Sequence, residues 1–307
     1  MVSAIDFSYW KRRRKLGKKE WALLGVSFIW GTTFGLGKYV LDYLPTAAYL
    51  ALRFLLASMF LLLFYYKVIR QTSRKEAILS CLLGISICLS YFTQTWGLNY
   101  TTASKNAFIC GLYVVLVPYF ARIFFRQRLT VYALGSAFLA VIGLGCLSFT
   151  EDNALSFGLG DCLALISAVF AALQIICIGR FAKEINYIRM AFFQMLTVSL
   201  LCSTAAFWGS GLKLDLPWQV WTMLLFLAVF ATTGAFIVQA WAQRDVSNSV
   251  TAIIFSLESV FGAAFACAFL REPFSLQMLL GSALLFAAMI LSQREEKGRS
   301  SDIAVSE

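Results

Sequence analysis

Histidine does not occur anywhere in this sequence, and that single absence removes imidazole metal sites, axial haem ligands and histidine general bases. Charge is scarce as well. Asp, Glu, Lys and Arg make up 14% of the 307 residues while hydrophobic residues make up 60%, where soluble domains are about a quarter charged. A water-soluble core has no room for that much apolar surface. There is no CxxC pair, and the eight cysteines, Cys81, Cys88, Cys110, Cys146, Cys162, Cys177, Cys202 and Cys267, sit within or at the edge of apolar runs. They read as small buried hydrophobes rather than as a disulfide framework or a metal site. A nucleotide-binding motif is missing too, so ATP hydrolysis by this chain is not expected. No catalytic residue, metal or cofactor is anticipated.

What is present is a succession of apolar runs. They cover Trp21 to Val40 and then approximately 46–66, 77–98, 104–125, 129–149, 158–180, 188–208, 218–242, 249–270 and 275–292. A spanning helix needs ~20 such residues to cross ~30 Å of hydrocarbon, so ten would use about 200 residues and leave short loops. The expectation is an all-α integral membrane protein with ten transmembrane helices. The first run is long for a signal-peptide core and has no obvious small-residue cleavage site, so it is read as a retained span.

Net charge is +10, which could point to nucleic acid, but the positions of the cations say otherwise. With the N-terminus inside, 21 of the 26 Lys and Arg fall on inside segments, from Lys11 to Lys19 through Arg244 to Arg299, and only Lys105, Lys213 and Arg271 fall outside. Lys38 and Arg53 lie within spans. Positive loops stay cytoplasmic. The expected protein is therefore multi-pass in the cell (inner) membrane with both termini cytoplasmic, the bilayer as partner and no nucleic acid.

Sliding residues 94–130 onto 239–275 at a fixed offset of 145 gives eleven identities without a gap, among them Gln94 with Gln239, Trp96 with Trp241, Ser104 with Ser249 and Arg126 with Arg271. With a separate alignment of the first helix on the sixth, Ser27 pairs with Ser167. The repeat then holds five helices, and an odd count inserts the second copy upside down relative to the first. Two inverted five-helix repeats with a site between them are a transporter architecture. The division expected is a basic tail over 1–20, repeats over 21–150 and 157–293, and a C-terminal tail over 294–307.

Several segments carry a family likeness: Leu52-Arg53-Phe54, Tyr100 to Pro118, Gly160-Asp161 opening the sixth helix, and Leu257-Glu258 in the ninth. In their order and spacing they resemble the drug/metabolite transporter superfamily, EamA type, over Trp21 to Gln293. Two positions depart from the pattern: Ser259 stands where a proline usually follows the glutamate, and Gln127 where an acidic residue is usual. The resemblance implies export or uptake of amino acids, drugs or other metabolites and fixes no substrate.

Ionisable groups deep in a bilayer cost about 2.5–3.5 kcal/mol each, so each needs a partner or a wet cavity. Glu258, Arg53 and Lys38 are the candidates for coupling or ion pairing, with a fixed structural contact the rival for Arg53 and interfacial snorkelling for Lys38. Trp30, Tyr91, Gln94, Asn106, Tyr113, Gln174, Gln239 and Ser256 are the candidates for a solute cavity, with interhelical hydrogen bonding as the alternative. Gly31 and Gly35 form a GxxxG, and Ala164, Ala168 and Ala172 recur every fourth residue, which permits close helix packing. A homodimer face is not decided by that. The function expected is secondary active transport of a small solute by alternating access, with proton or ion coupling open. A receptor or scaffold without transport is the alternative. Gly158-Leu159-Gly160-Asp161 matches the GxGD of intramembrane aspartyl proteases, yet no second aspartate lies at depth.

Overall fold

The computed structural model describes residues 17–125, 131–148, 157–209, 215–271, 276, 279–288 and 291. Gln127, Lys213, residues 1–16 of the basic N-terminal tail and the C-terminal tail lie outside the described residues, and the expected tail over 1–20 is shortened because α1 begins at Lys18. Among the described residues every regular element is helical: α1 (Lys18–Leu41), α2 (Thr46–Ile69), α3 (Arg74–Gly97), α4 (Ala103–Cys110), α5 (Tyr113–Phe125), α6 (Val131–Ser148), α7 (Leu159–Phe181), α8 (Tyr187–Trp208), α9 (Trp218–Phe226), α10 (Ala235–Ala242) and α11 (Asn248–Phe269). A twelfth helix, α12, occupies Leu279–Ala288.

Helix starts follow the local chemistry. Ser73 accepts from the Glu76 backbone N–H while the Glu76 carboxylate accepts from Ser73 N–H, a reciprocal capping box that opens α3. Thr102, Asn186 and Ser247 cap α4, α8 and α11 through their side-chain oxygens. The Asp161 carboxylate accepts from Gly158 N–H at the start of α7, so the GxGD motif acts as a helix cap.

Seven stretches are long and apolar enough to cross a bilayer: Thr46–Ile69, Arg74–Gly97, Ala103–Phe124, Leu159–Phe181, Tyr187–Trp208, Trp218–Ala242 and Val250–Phe269. The run expected over 104–125 contains a tightened turn at Gly111-Leu112, between α4 and α5, where Leu112 N–H donates to Ile109 O. The run over 218–242 is interrupted by π-helical turns at Leu227–Gly234, where Ala235 N–H donates to Phe230 O, a geometry found disproportionately at functional sites. α1 is 24 residues long, about 36 Å at 1.5 Å per residue. Its buried Ser27, Trp30, Gly31 and Gly35 make it less apolar than the outer helices because it faces protein.

α2 packs most extensively along α8, α1 along α11, and α3 along α7 and α8. Large apolar side chains turned outward, such as Leu63, Phe64, Phe207 and Trp208, form the lipid-facing belt a soluble surface would not tolerate. Of the eight cysteines, Cys88, Cys110 and Cys202 are buried, Cys162 is exposed and the rest are intermediate, all of them free thiols. The expectation of uniform burial therefore needs correcting, since a thiol at the lipid-facing surface sits in apolar surroundings too. Ala164, Ala168 and Ala172 are fully buried on α7.

The GxxxG residues differ in what they do. A Cβ on Gly31 would stand 2.5 Å from Phe261 Cβ and 3.0 Å from Gly262 N of α11, whereas one on Gly35 would meet nothing within 4 Å. Gly31→Ala is thus expected to destabilise by about 1–3 kcal/mol through overpacking and Gly35→Ala to be tolerated. Thermal melts of the two purified variants check this, and equal melts would sink it.

Candidate functional site

A cavity of about 50 Å³ lies in the middle of the bundle, lined by Trp30 of α1, Ser90, Tyr91 and Gln94 of α3, Cys110 of α4, Tyr113 of α5, Ser167, Ala171, Gln174 and Ile175 of α7, Gln239 of α10, and Phe255 and Glu258 of α11. Its size suits one or two waters or a small ion. A solute with a carbon skeleton requires the helices to separate.

The aromatic wall is built by edge and tilted ring contacts. Trp30 lies 4.7 Å from Phe255 and 6.0 Å from Phe236 between ring centroids, and Tyr91 lies 5.3 Å from Phe54. Trp30 is held in place because its Nε1–H donates to Ala231 O in the π-helical segment at 2.8 Å. On the opposite wall the glutamines form a directed chain. Gln174 Nε2 donates to Gln239 Oε1 at 3.4 Å, Gln239 Nε2 to Gln243 Oε1 at 3.1 Å, and Gln243 Nε2 to Ile175 O and Asn248 Oδ1.

Glu258 is half-buried, its accessible part opening into the cavity, and its carboxylate makes no hydrogen bond or ion pair among the described residues. Tyr113 is also directed here, and its hydroxyl is buried without a hydrogen-bond partner. At the repeat offset of 145, Tyr113 and Glu258 are the same position.

Arg53 is fully buried beside the cavity but does not line it. Its Nε donates to Thr232 Oγ1 at 2.8 Å, its Nη1 to Tyr49 OH at 3.2 Å and its Nη2 to Ala231 O at 3.5 Å. The guanidinium lies 5.3 Å from the Tyr91 ring centroid, so that ring stands between the cation and the cavity.

Trp30, Tyr91, Gln94, Tyr113, Gln174, Gln239 and Glu258 are thus brought together, and three other candidates are placed elsewhere. Asn106 is buried behind the wall, its Nδ2 donating to Gln94 O at 3.2 Å. Ser256 is buried on α11 and does not line the cavity. Lys38 reaches the end of the bundle, where its Nζ donates to Thr101 O at 2.8 Å. There the Lys105 ammonium pairs with Asp161 at 2.8 Å and Thr101 Oγ1 donates to the same carboxylate at 3.1 Å, which joins the α3–α4 connection to the start of α7. At the start of α1, Lys19 pairs with Asp245 and lies over the Trp241 ring. Its hydrogen bond holds the exposed Asp245 carboxyl below the usual range. Ser90, Cys110, Ser167, Ala171, Ile175 and Phe255 were not anticipated as lining residues, because small and apolar side chains on an apolar helix carry no contrast in the sequence. Only Ser167 gave a signal, through its match to Ser27 across the repeat.

The EamA-like transporter family model matches the chain twice, over residues 17–149 and 158–293. The chain belongs to the EamA-like transporter family. It is a multi-pass membrane transporter rather than an enzyme. A relative from Archaeoglobus fulgidus, described as an uncharacterized transporter, is 32% identical over 277 residues, covering 89% of this chain and 86% of the relative. The uncharacterized transporters YyaM and YvbV of Bacillus subtilis are 27% and 26% identical, over 87% and 93% of this chain and 91% and 95% of their own. A solved crystal structure superposes with a TM-score of 0.66 at 14% identity, covering 88% of this chain and 95% of that one, a likeness of fold alone.

Proposed function

We propose that this EamA-family member is a secondary active transporter that moves a small organic solute through the central cavity by alternating access, with Glu258 as the group whose protonation or occupancy is exchanged for the solute. The observation that carries the reading is a carboxylate in mid-bundle, facing a polar and aromatic cavity and held by no ion pair among the described residues. Such a group is expensive inside a membrane and is retained where it binds or relays charge.

The architecture that would serve this is ten helices in two inverted five-helix repeats. Supporting it are the two family matches, the 145-residue offset and the packing. α1 lies against α11 while α4 and α5 lie against α7, the same helix pair exchanged between halves. In that arrangement Tyr113 and Glu258 face one another across the pseudo-two-fold axis, and the linked ends at Lys105–Asp161 and Lys19–Asp245 fall on opposite faces of the membrane. Opening one while the other holds would expose the cavity to each side in turn. The distribution of Lys and Arg supports cytoplasmic termini, and a C-terminal reporter active only outside the cell would overturn that orientation.

Uptake into proteoliposomes, screened over amino acids, nucleosides and organic amines with and without a pH gradient, tests the function. Saturable flux that responds to the gradient is the expected result. Gradient-independent leak equal to that of empty vesicles for every solute class would sink the carrier reading.

A further inference from the structure

The chemistry of a ligand can be read from which hydrogen-bonding groups the cavity leaves unused. The cationic and indole donors are committed elsewhere, Trp30 Nε1–H to Ala231 O and the Arg53 guanidinium to Tyr49, Thr232 and Ala231. The Gln174 and Gln239 amides each spend one N–H within the glutamine chain, so that the donors left to the cavity are neutral amide N–H groups, Gln94 included. Acceptors remain. The Glu258 carboxylate faces the cavity, the Gln174 side-chain oxygen accepts from nothing among the described residues, and the Tyr113 hydroxyl is buried without a partner. A ligand carboxylate or phosphate would meet only neutral amide and hydroxyl donors, with no cation among the cavity-lining residues, and would face the Glu258 carboxylate. The aromatic rings of Trp30, Tyr91 and Phe255 present π-faces and edges that suit a cation or an apolar chain.

From this distribution of acceptors we infer that the solute is an organic amine carried as its ammonium form, with N–H groups donating to Glu258, Gln174 Oε1 and the Tyr113 hydroxyl. An ammonium supplies three donors and one positive charge, which matches one carboxylate and two neutral acceptors. The cavity of about 50 Å³ takes only the head group. The remainder of the solute occupies space opened when the helices part, so the inference rests on the carrier reading for its route, though not for its binding chemistry.

Calorimetric titration of the full-length protein in lipid nanodiscs at pH 8 tests it, with three probes of similar shape: 2-phenylethylammonium, its N,N,N-trimethyl analogue and 3-phenylpropionate. The primary ammonium is expected to bind saturably, the trimethyl analogue roughly tenfold more weakly because it has no N–H to donate, and the carboxylate not at all. Glu258→Gln should weaken the ammonium roughly tenfold or more, and Tyr113→Phe a few-fold. Equal binding of the carboxylate, equal binding of the trimethyl analogue, or no saturable ammonium binding to the wild-type protein overturns the inference even if a variant fails to fold. Ammonium binding without ammonium flux in proteoliposomes would leave this inference standing and sink the carrier reading. Flux of other solutes without ammonium binding would do the reverse.

Discussion

Glu258→Gln is expected to abolish the response of transport to a proton gradient, lowering gradient-driven flux by on the order of tenfold or more, while the protein still inserts and melts near the wild-type temperature. The substitution keeps the shape and removes the charge. Because the carboxylate makes no hydrogen bond or ion pair with the described residues, losing it strands no partner, and replacing an unpaired charge in a low-dielectric setting by an amide costs little. The titratable groups facing it from the surrounding helices are Tyr91 of α3, Cys110 of α4 and Tyr113 of α5, and Arg53 of α2 acts on it through its charge from outside the cavity. None is a second carboxylate. α1 and α7 contribute Trp30, Ser167 and Gln174, which do not titrate. Measuring flux against internal and external pH in proteoliposomes separates the cases. A variant that transports at the wild-type rate with an unchanged pH profile would return Glu258 to a packing role. One that loses net flux but keeps solute exchange would place it in coupling.

Tyr113 and Glu258 line one cavity, as the proposed inverted-repeat architecture requires of two positions 145 residues apart. A shared ancestral position would put the same side chain on both sides of the axis, yet here one copy is a phenol and the other a carboxylate. In the proposed two-repeat architecture the site is asymmetric at this pair, with one carboxylate rather than two. Duplicated acids at that point would repel one another when ionised and leave one of them neutral. The tyrosine avoids this while keeping an oxygen in place.

Much of this was legible in the sequence because contrast is high there. A glutamate, an arginine and several glutamines stand out against long apolar runs, and the Gln94–Gln239 and Trp96–Trp241 matches at one offset fix the register of the second half against the first. Six of the eight aromatic and polar residues expected at the cavity line it, along with Glu258; Asn106 turns toward the Gln94 carbonyl, and Ser256 is buried on α11 away from the cavity. The position of Lys38 was ambiguous for a similar reason. Its depth along α1 was readable, but not that Thr101 would offer it a carbonyl at the bundle end. The π-helical turns at Leu227–Gly234 have no composition signature, and they decide where Ala231 O lies, hence how Trp30 and Arg53 are anchored. Backbone register of that kind emerges only when the helices pack.

Arg53→Met is expected to destabilise the folded protein by on the order of 3 kcal/mol, seen as a lowered melting temperature in detergent and reduced monodisperse yield. The guanidinium donates to three acceptors on two elements, Tyr49 in α2 and Thr232 and Ala231 in the π-helical segment, and hydrogen bonds from a charged group are worth about 1.5–3 kcal/mol each before relaxation. Thr232 Oγ1 also donates to Leu227 O, and Ala231 O also accepts from Trp30, so those two keep a second partner and the loss is less than the sum. Arg53→Lys should recover little, because an ammonium on a flexible stem cannot present the planar fork that meets Thr232 and Tyr49 together. Beyond its own bonds, Arg53 supplies the positive potential nearest Glu258, although the two do not form an ion pair. A double-mutant cycle distinguishes these roles. If the arginine also serves as counter-charge, adding Glu258→Gln to Arg53→Met should restore about 1 kcal/mol or more of what the single substitution lost, since the uncompensated carboxylate is removed. If Arg53 acts only by tying α2 to the π-helical segment, the two effects should add within about 0.5 kcal/mol, and the electrostatic link between the arginine and Glu258 is then lost.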